Sequence, residues 1–193
     1  MVTGMKKANY KDKPLVVDIL SASFKDNKSV NYILPQAGNR EKRLRRLMAY
    51  SFDICFLFGN VLLSDDGKAA ALIIYPDKKR TTLKSTWLDL KFAIQCLGIF
   101  NLFKAIRRES AIKKVHPAIP FSYLWFIGVK PENQNAGSGT ILLREIMHHS
   151  RSQNYPVLLE TSTERNLPWY KKNQFDIYAE LDFGYRLYCL RSN

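Results

Sequence analysis

The chain has 193 residues, 46% of them hydrophobic and 24% charged, with 30 Lys and Arg against 17 Asp and Glu for a formal net charge of +13. That length holds one domain of ample core, and that balance is of a globular chain rather than a disordered or fibrous one. Cys55, Cys96 and Cys189 are widely spaced in apolar surroundings, and His116, His148 and His149 lack a metal-ligand spacing. Buried thiols and no metal are therefore expected, with neither a disulfide framework nor a zinc module.

Lys6, Lys7, Lys11 and Lys13 lead into a charged, helix-like segment rather than the apolar core of a signal peptide, so a cytoplasmic protein is expected. Residues 14–24 carry Val16, Val17, Ile19, Leu20 and Phe24 behind Asp12 as cap, which predicts a first helix. Residues 39–58 predict a second, with Leu44, Leu47, Met48, Phe52 and Cys55 on one face. Runs at 60–64 and 69–75, joined across Asp65-Asp66-Gly67, predict a hairpin.

Residues 81–115 read as two apolar helices broken near Gly98, either extra core or a lid or wall over a pocket lined by Trp87, Phe92 and Phe100. The apolar run 92–103 is far short of the about 20 residues a membrane span needs. Basic clusters at 40–46, 77–84 and 104–114 are either solvated faces or attract nucleic acid, acidic lipid headgroups or an acidic acceptor. They are scattered without an aromatic-interleaved reading motif, so no nucleic-acid partner is expected.

The most specific chemistry lies between residues 121 and 147. Residues 121–129 are aromatic and β-branched without a charge, as in a strand buried on both faces, and Pro131 ends it. Gln134-Asn135-Ala136-Gly137-Ser138-Gly139-Thr140 follows, then Leu142, Leu143, Ile146 and Met147 at the spacing of one helix face. A helix mouth has amide hydrogens without partners and partial positive charge, so a glycine turn there makes a phosphate cradle; Gly137 and Gly139 permit positive φ and close approach. A P-loop needs Lys-Ser/Thr after its last glycine, where Thr140-Ile141 stand; a dinucleotide fingerprint needs glycine at Leu142.

The remaining pattern, Val129, Pro131, Gln134, Gly137, Gly139 with Leu142 and Leu143 behind, resembles the coenzyme A loop of the GNAT superfamily of N-acetyltransferases. Asn135 replaces a frequent glycine, a mild change because Asn tolerates a left-handed backbone, and Ala136 replaces a frequent lysine, removing a phosphate charge. The resemblance implies a single α/β domain with a mixed central sheet flanked by helices, two of its parallel strands splayed around the cofactor's pantetheine arm. It implies acetyl-coenzyme A binding by Ile127, Gly128, Val129, Gln134, Asn135, Ala136, Gly137, Ser138, Gly139 and Thr140. Two helices and a hairpin begin such a domain, whereas 81–115 does not match its usual course and stands as a helical insertion.

Residues 155–162 (YPVLLETS) form the next strand, parallel to 121–129 through a right-handed crossover. Asn166-Leu-Pro-Trp-Tyr170 and the residues to Phe175 resemble the family's next segment in shortened form. Asn166 would cap the helix with Pro168 in its first turn, and Gln174, where glycine is usual, would strain the turn. The resemblance places Asn166 near the pantetheine or pyrophosphate and Tyr170 near the thioester sulfur as general acid. Residues 175–183 and 185–190 alternate around Gly184 as a closing antiparallel pair.

The expected activity is acetyl transfer from acetyl-coenzyme A to an amine of a small molecule or peptide, by direct attack in a ternary complex, in a monomer or homodimer. The amine must lose a proton; Glu160 is the first candidate base and His116 the second. Against these roles, Tyr170 is a core aromatic and Glu160 an ion-paired strand carboxylate. The alternative activity is a non-catalytic module that holds coenzyme A or uses its basic surface.

Overall fold

The computed structural model describes residues 4–193, apart from the side chain of Ile99. Seven strands, β1 (Met5–Lys7), β2 (Gly59–Ser64), β3 (Ala69–Ile74), β4 (Ser122–Val129), β5 (Val157–Thr161), β6 (Phe175–Asp182) and β7 (Arg186–Ser192), form one sheet in the order β1-β2-β3-β4-β5-β7-β6. Every neighbouring pair is antiparallel except β4 and β5. The helices are α1 (Lys13–Ser23), α2 (Lys28–Ile33), α3 (Arg40–Phe58), α4 (Leu83–Phe92), α5 (Gly98–Val115), α6 (Ser138–Arg151) and α7 (Leu167–Lys172).

Strand periodicity assigns the two faces of the sheet. Ala70, Leu72 and Ile74 of β3 share a core with Ile19 and Leu20 of α1 and Met48 and Phe52 of α3. Ala69, Ala71 and Ile73 share a second core with Leu142, Leu143 and Ile146 of α6 and with Tyr170. β3 is consequently an unbroken apolar run, as a central strand covered on both sides must be. The predicted hairpin is β2–β3, turning through Gly67 at φ +67°; the closing pair is β6–β7, with Gly184 at φ +79°.

Asp12 precedes α1 but makes no side-chain bond to it. Instead its carboxylate accepts from the Asn9 amide at 2.9 Å and closes a capping box on the preceding 3-10 turn. The predicted second helix is α3, and the Asn39 side chain caps it by accepting from the Lys42 amide. The strand β1 and the six-residue helix α2 are too short for periodicity to announce; α2 starts from Asn27, whose side chain accepts from the Val30 amide.

The 81–115 segment breaks at Gly98, at φ +67° after a π-helical turn over Ala93–Leu97. One side of it is extra core. Phe92 stacks on Tyr50 at 4.2 Å, Cys96 and Leu97 are buried, and Arg46 donates to the Gln95 carbonyl at 2.7 Å. Of the three expected pocket-lining residues, Phe92 thus belongs to the core, while Trp87 is 64% and Phe100 84% exposed and face outward. α4 packs on α3 and α5 on α2, each burying one face, and these two residues lie on the faces left exposed.

Candidate active site

The chain leaves β4 through Lys130 and a 3-10 turn at Pro131–Asn133, then enters α6 through two left-handed residues, Asn135 at φ +66° and Gly137 at φ +89°. Asparagine therefore takes the left-handed role expected of it. Gly139 does not: it lies inside α6 without a positive φ. A Cβ there would stand 3.2 Å from Val129 Cγ2 and 3.9 Å from the Trp169 ring, so space rather than conformation calls for glycine. Around Gly137 there is open space, and conformation alone calls for it.

Thr140 and Ile141 are the first amides of α6 bonded inward, both to the Gly137 carbonyl at 3.0 and 3.1 Å. Those of Ser138 and Gly139 find no backbone acceptor among the described residues, and residues 134–137 are exposed. A 14-residue helix with free amides at an open mouth fits a pyrophosphate. Burying Leu142, Leu143 and Ile146 contributes about 1.5–3 kcal/mol each. That outweighs the roughly 1 kcal/mol a glycine costs in a helix, so the mouth is held by the packing behind it.

β4 and β5 pair only at Ser122–Val157 and Tyr123–Leu158; beyond Tyr123 the parallel strands part. Opposite β3, the register passes from Leu72–Phe126 to Ile73–Leu124, leaving Trp125 as the extra residue of a bulge beside the opening. Gly128 is needed where α1 crosses β4, because a Cβ there would meet Ser23 Oγ at 2.7 Å. That hydroxyl lies 2.7 Å from the Val129 carbonyl oxygen and 2.8 Å from that of Ile19, tying helix to strand.

Tyr170 is buried in the core on the α6 side of the sheet, 4.7 Å from the Trp169 ring and 5.8 Å from that of Phe175. Burial alone raises its phenol above the ordinary tyrosine range. Trp169, which sequence reasoning missed, donates from Nε1 to Thr140 Oγ1 at 2.9 Å and so fastens α7 to the first turn of α6. Asn166 precedes α7 with helical dihedrals and makes no cap bond, contrary to expectation, leaving its half-exposed amide free for another partner. Pro168 sits in the first turn, and Gln174 takes φ +65°, the expected strain. Its carbonyl accepts from the Asn193 amide at 3.0 Å, and its side-chain oxygen from Arg151 at 2.6 Å.

Leu159 belongs to the α6-side core, so its neighbour Glu160 points to the opposite face, under α5. Both carboxylate oxygens are engaged: Oε1 stands 3.1 Å from His116 Nε2, and Oε2 accepts from the Tyr123 hydroxyl. The side chains are 4% and 13% exposed for Glu160 and His116, and a charge that deeply buried requires such partners. Burial, reinforced by the Glu160 charge, holds the Tyr123 phenol well above its usual range and pushes the Cys189 thiol up to about 12. Nearby, Arg108 Nε donates to Tyr185 at 3.3 Å, whose hydroxyl donates to Ser29 at 3.2 Å. Tyr178, the extra residue in β6, has a buried hydroxyl without a partner.

The two expected catalytic residues thus lie on opposite faces of the sheet. Among the described residues no group of three or more His, Cys, Asp or Glu could hold a metal. A cavity lined by Arg151, Tyr155, Tyr178 and Arg191 lies by the C-terminal end of α6, away from the glycine turn.

No family model matches the sequence. Among solved structures, the chain is similar over its whole length to a histone acetyltransferase HPA2-related acetyltransferase from Corynebacterium glutamicum, with 19% identity, a TM-score of 0.77 and 96% of that chain covered. The chain carries the GNAT fold. Other GNAT neighbours are arylalkylamine N-acetyltransferase 2 from Aedes aegypti, with 14% identity, a TM-score of 0.65 and 97% of each chain covered. A PaiA N-acetyltransferase from Thermoplasma acidophilum, solved with coenzyme A, has 12% identity and a TM-score of 0.59 over 100% of this chain and 99% of that one. At these identities the GNAT likeness is one of fold. It nonetheless extends through α1 to β3, where the sequence motifs are weakest.

Proposed function

We propose that the chain is a single-domain acetyl-coenzyme A-dependent N-acetyltransferase acting on an amine of a small molecule or peptide, by direct attack in a ternary complex. The observation that carries this reading is the open mouth of α6, with free amides at Ser138 and Gly139, beside parallel strands that part after Tyr123. The neighbour solved with coenzyme A and the arylalkylamine N-acetyltransferase support the cofactor and the acceptor class.

Bound acetyl-coenzyme A would supply an acetyl group activated as a thioester. The loop from Gln134 to Thr140 holds its pyrophosphate through the free amides of Ser138 and Gly139, the edge from Ile127 to Val129 lies along the pantetheine, and the free side-chain amide of Asn166 bonds to the same arm. On the α5 side, the Glu160–His116 pair receives the proton that the amine sheds. Since both Glu160 oxygens are engaged, the base is the pair rather than the carboxylate alone. On the α6 side, Tyr170 gives its proton to the departing thiolate.

A calorimetric titration with acetyl-coenzyme A, followed by an amine panel read as free-thiol release, tests the reading. Saturable binding with thiol release on at least one amine is expected. Absence of binding overturns it, and binding without release across the panel favours the non-catalytic module, for which the fully engaged Glu160 already speaks.

A further inference from the structure

Seven large apolar side chains stand exposed on one segment. Leu83 (95% exposed), Trp87, Leu90 and Ile94 (70%) follow one another at i, i+4, i+7 and i+11 along α4 and the turn after it, opposite the buried Ser85 and the core-facing Leu88 and Phe92. Phe100, Phe103 (68%) and Ile106 form an exposed face of α5, opposite Ala105 and Ile112. Scattered exposed hydrophobics are ordinary, but two consecutive helices each with an aromatic stripe turned to water need a partner.

The charge around the stripes identifies it. Between residues 78 and 107 there are seven basic residues, Lys78, Lys79, Arg80, Lys84, Lys91, Lys104 and Arg107, besides one acidic residue, Asp89. Asp89 is exposed, and its carboxylate accepts from the Tyr50 hydroxyl at 2.6 Å. Lys84 and Lys91 border the α4 stripe on one side, and Arg107 lies within that of α5; all three are exposed. A second copy of a chain with net charge +13 would bring these cations against each other. Trp, Phe and Leu on one side with Lys and Arg beside them is the composition of a helix lying in the headgroup plane, its apolar face sunk about 5–10 Å. No helix of the described residues is long and apolar enough to cross a membrane.

We propose that α4 and α5 form a peripheral docking surface for an anionic lipid bilayer. Trp87, Phe100 and Phe103 enter the interface while Lys84, Lys91 and Arg107 meet the headgroup phosphates. Each basic residue near an anionic surface multiplies partitioning by about fivefold, so the three together raise it by about 10²-fold over a neutral surface. The opposite side of α5 carries Arg108 and leads to His116, which places the docked surface directly behind the Glu160 cluster.

Vesicle flotation does not depend on turnover, so it tests this surface independently of acetyl transfer. The full chain should float with vesicles of phosphatidylcholine containing about one-third phosphatidylserine, and at least about tenfold more weakly with phosphatidylcholine alone or in high salt. The triple variant Trp87→Ser, Phe100→Ser, Phe103→Ser and the triple variant Lys84→Gln, Lys91→Gln, Arg107→Gln should each lose about tenfold or more. All six residues are exposed, so unchanged melting is expected and checks folding. Failure to float with anionic vesicles overturns the proposal. So does flotation unchanged in the aromatic variant, which would assign binding to diffuse charge. Self-association abolished by the aromatic variant, without vesicle binding, would assign the stripes to a second copy.

Discussion

His116 Nε2 and Glu160 Oε1 stand 3.1 Å apart, one at the end of α5 and the other in the middle of β5, 44 residues away in sequence. The pair exists because the segment 81–115 ends by laying α5 over the half of the sheet where β4 and β5 part. Glu160→Gln keeps the shape and can still accept from Tyr123, but it cannot stabilise a proton on His116. If the pair serves the amine, the variant should lose about 10²-fold in kcat/KM for the acceptor. Its affinity for acetyl-coenzyme A and its melting temperature should stay near those of the parent. A normal rate on a verified acceptor would return Glu160 to the role of a buried, ion-paired carboxylate.

The two glycines at the mouth of α6 should fail for different reasons. Gly137→Val imposes a β-branched side chain on φ +89°, whereas Gly137→Asn retains a residue tolerant of that conformation. Calorimetry should therefore show coenzyme A affinity lost by at least about tenfold in the first and largely kept in the second, given the roughly 1–2 kcal/mol that separates left- from right-handed backbone. Gly139→Val should be as damaging as Gly137→Val, through contact with Val129 rather than strain. Equal affinity in all three variants would remove the glycine turn from the cofactor site.

What the sequence disclosed follows from the range of the forces involved. The hairpin at Gly67, the break at Gly98, the strand ending before Pro131 and the glycine turn are local, set by backbone freedom within a few residues. Asp12 looked like a cap for α1, but Asn9 competes for it from three residues away, and sequence alone does not rank the two. Gly139 needs glycine because of Val129 and Trp169, neighbours only after folding. The apolar content of 81–115 was legible while the direction of its faces was not: periodicity marks a stripe, and Trp87 and Phe100 lie on stripes that are exposed among the described residues. His116 and Glu160 were separate candidates, joined only by the sheet.

The three thiols predict how stability responds to alkali. Burial pushes Cys96 and Cys189 up to about 12, Glu160 adding to the effect on Cys189, and raises Cys55 well beyond the usual thiol range. In the unfolded chain they titrate near 8.5. A folded pKa above the unfolded one means stability fully present below about pH 8.5 and progressively lost as pH rises toward the folded value, by up to about 1.4 kcal/mol per pH unit for each thiol. Urea unfolding between about pH 8 and 10, before lysines and tyrosines dominate, should show that decline. Cys189→Ala should be less stable at neutral pH yet show a shallower slope, and an unchanged slope would mean that the thiol is not held neutral by the fold.

Tyr170 is the residue on which the chemical reading is most exposed. Burial alone raises its phenol, so the folded protein should keep that proton beyond pH about 10, where a free tyrosine loses it. A donor of this kind is permanently loaded, and its value lies in position against the departing thiolate. Tyr170→Phe keeps the ring against Trp169 and Phe175 and removes a hydroxyl for which burial is the sole perturbation, so melting should barely change. If the phenol is the acid, kcat measured by thiol release should fall by about 10²-fold while acetyl-coenzyme A affinity stays within a few-fold. In the parent, turnover on a verified amine should persist past pH about 10 rather than decline with an ordinary tyrosine pKa. Normal turnover by the phenylalanine variant would mean that water or another group protonates the thiolate, leaving Tyr170 as a packing residue between α7 and the sheet.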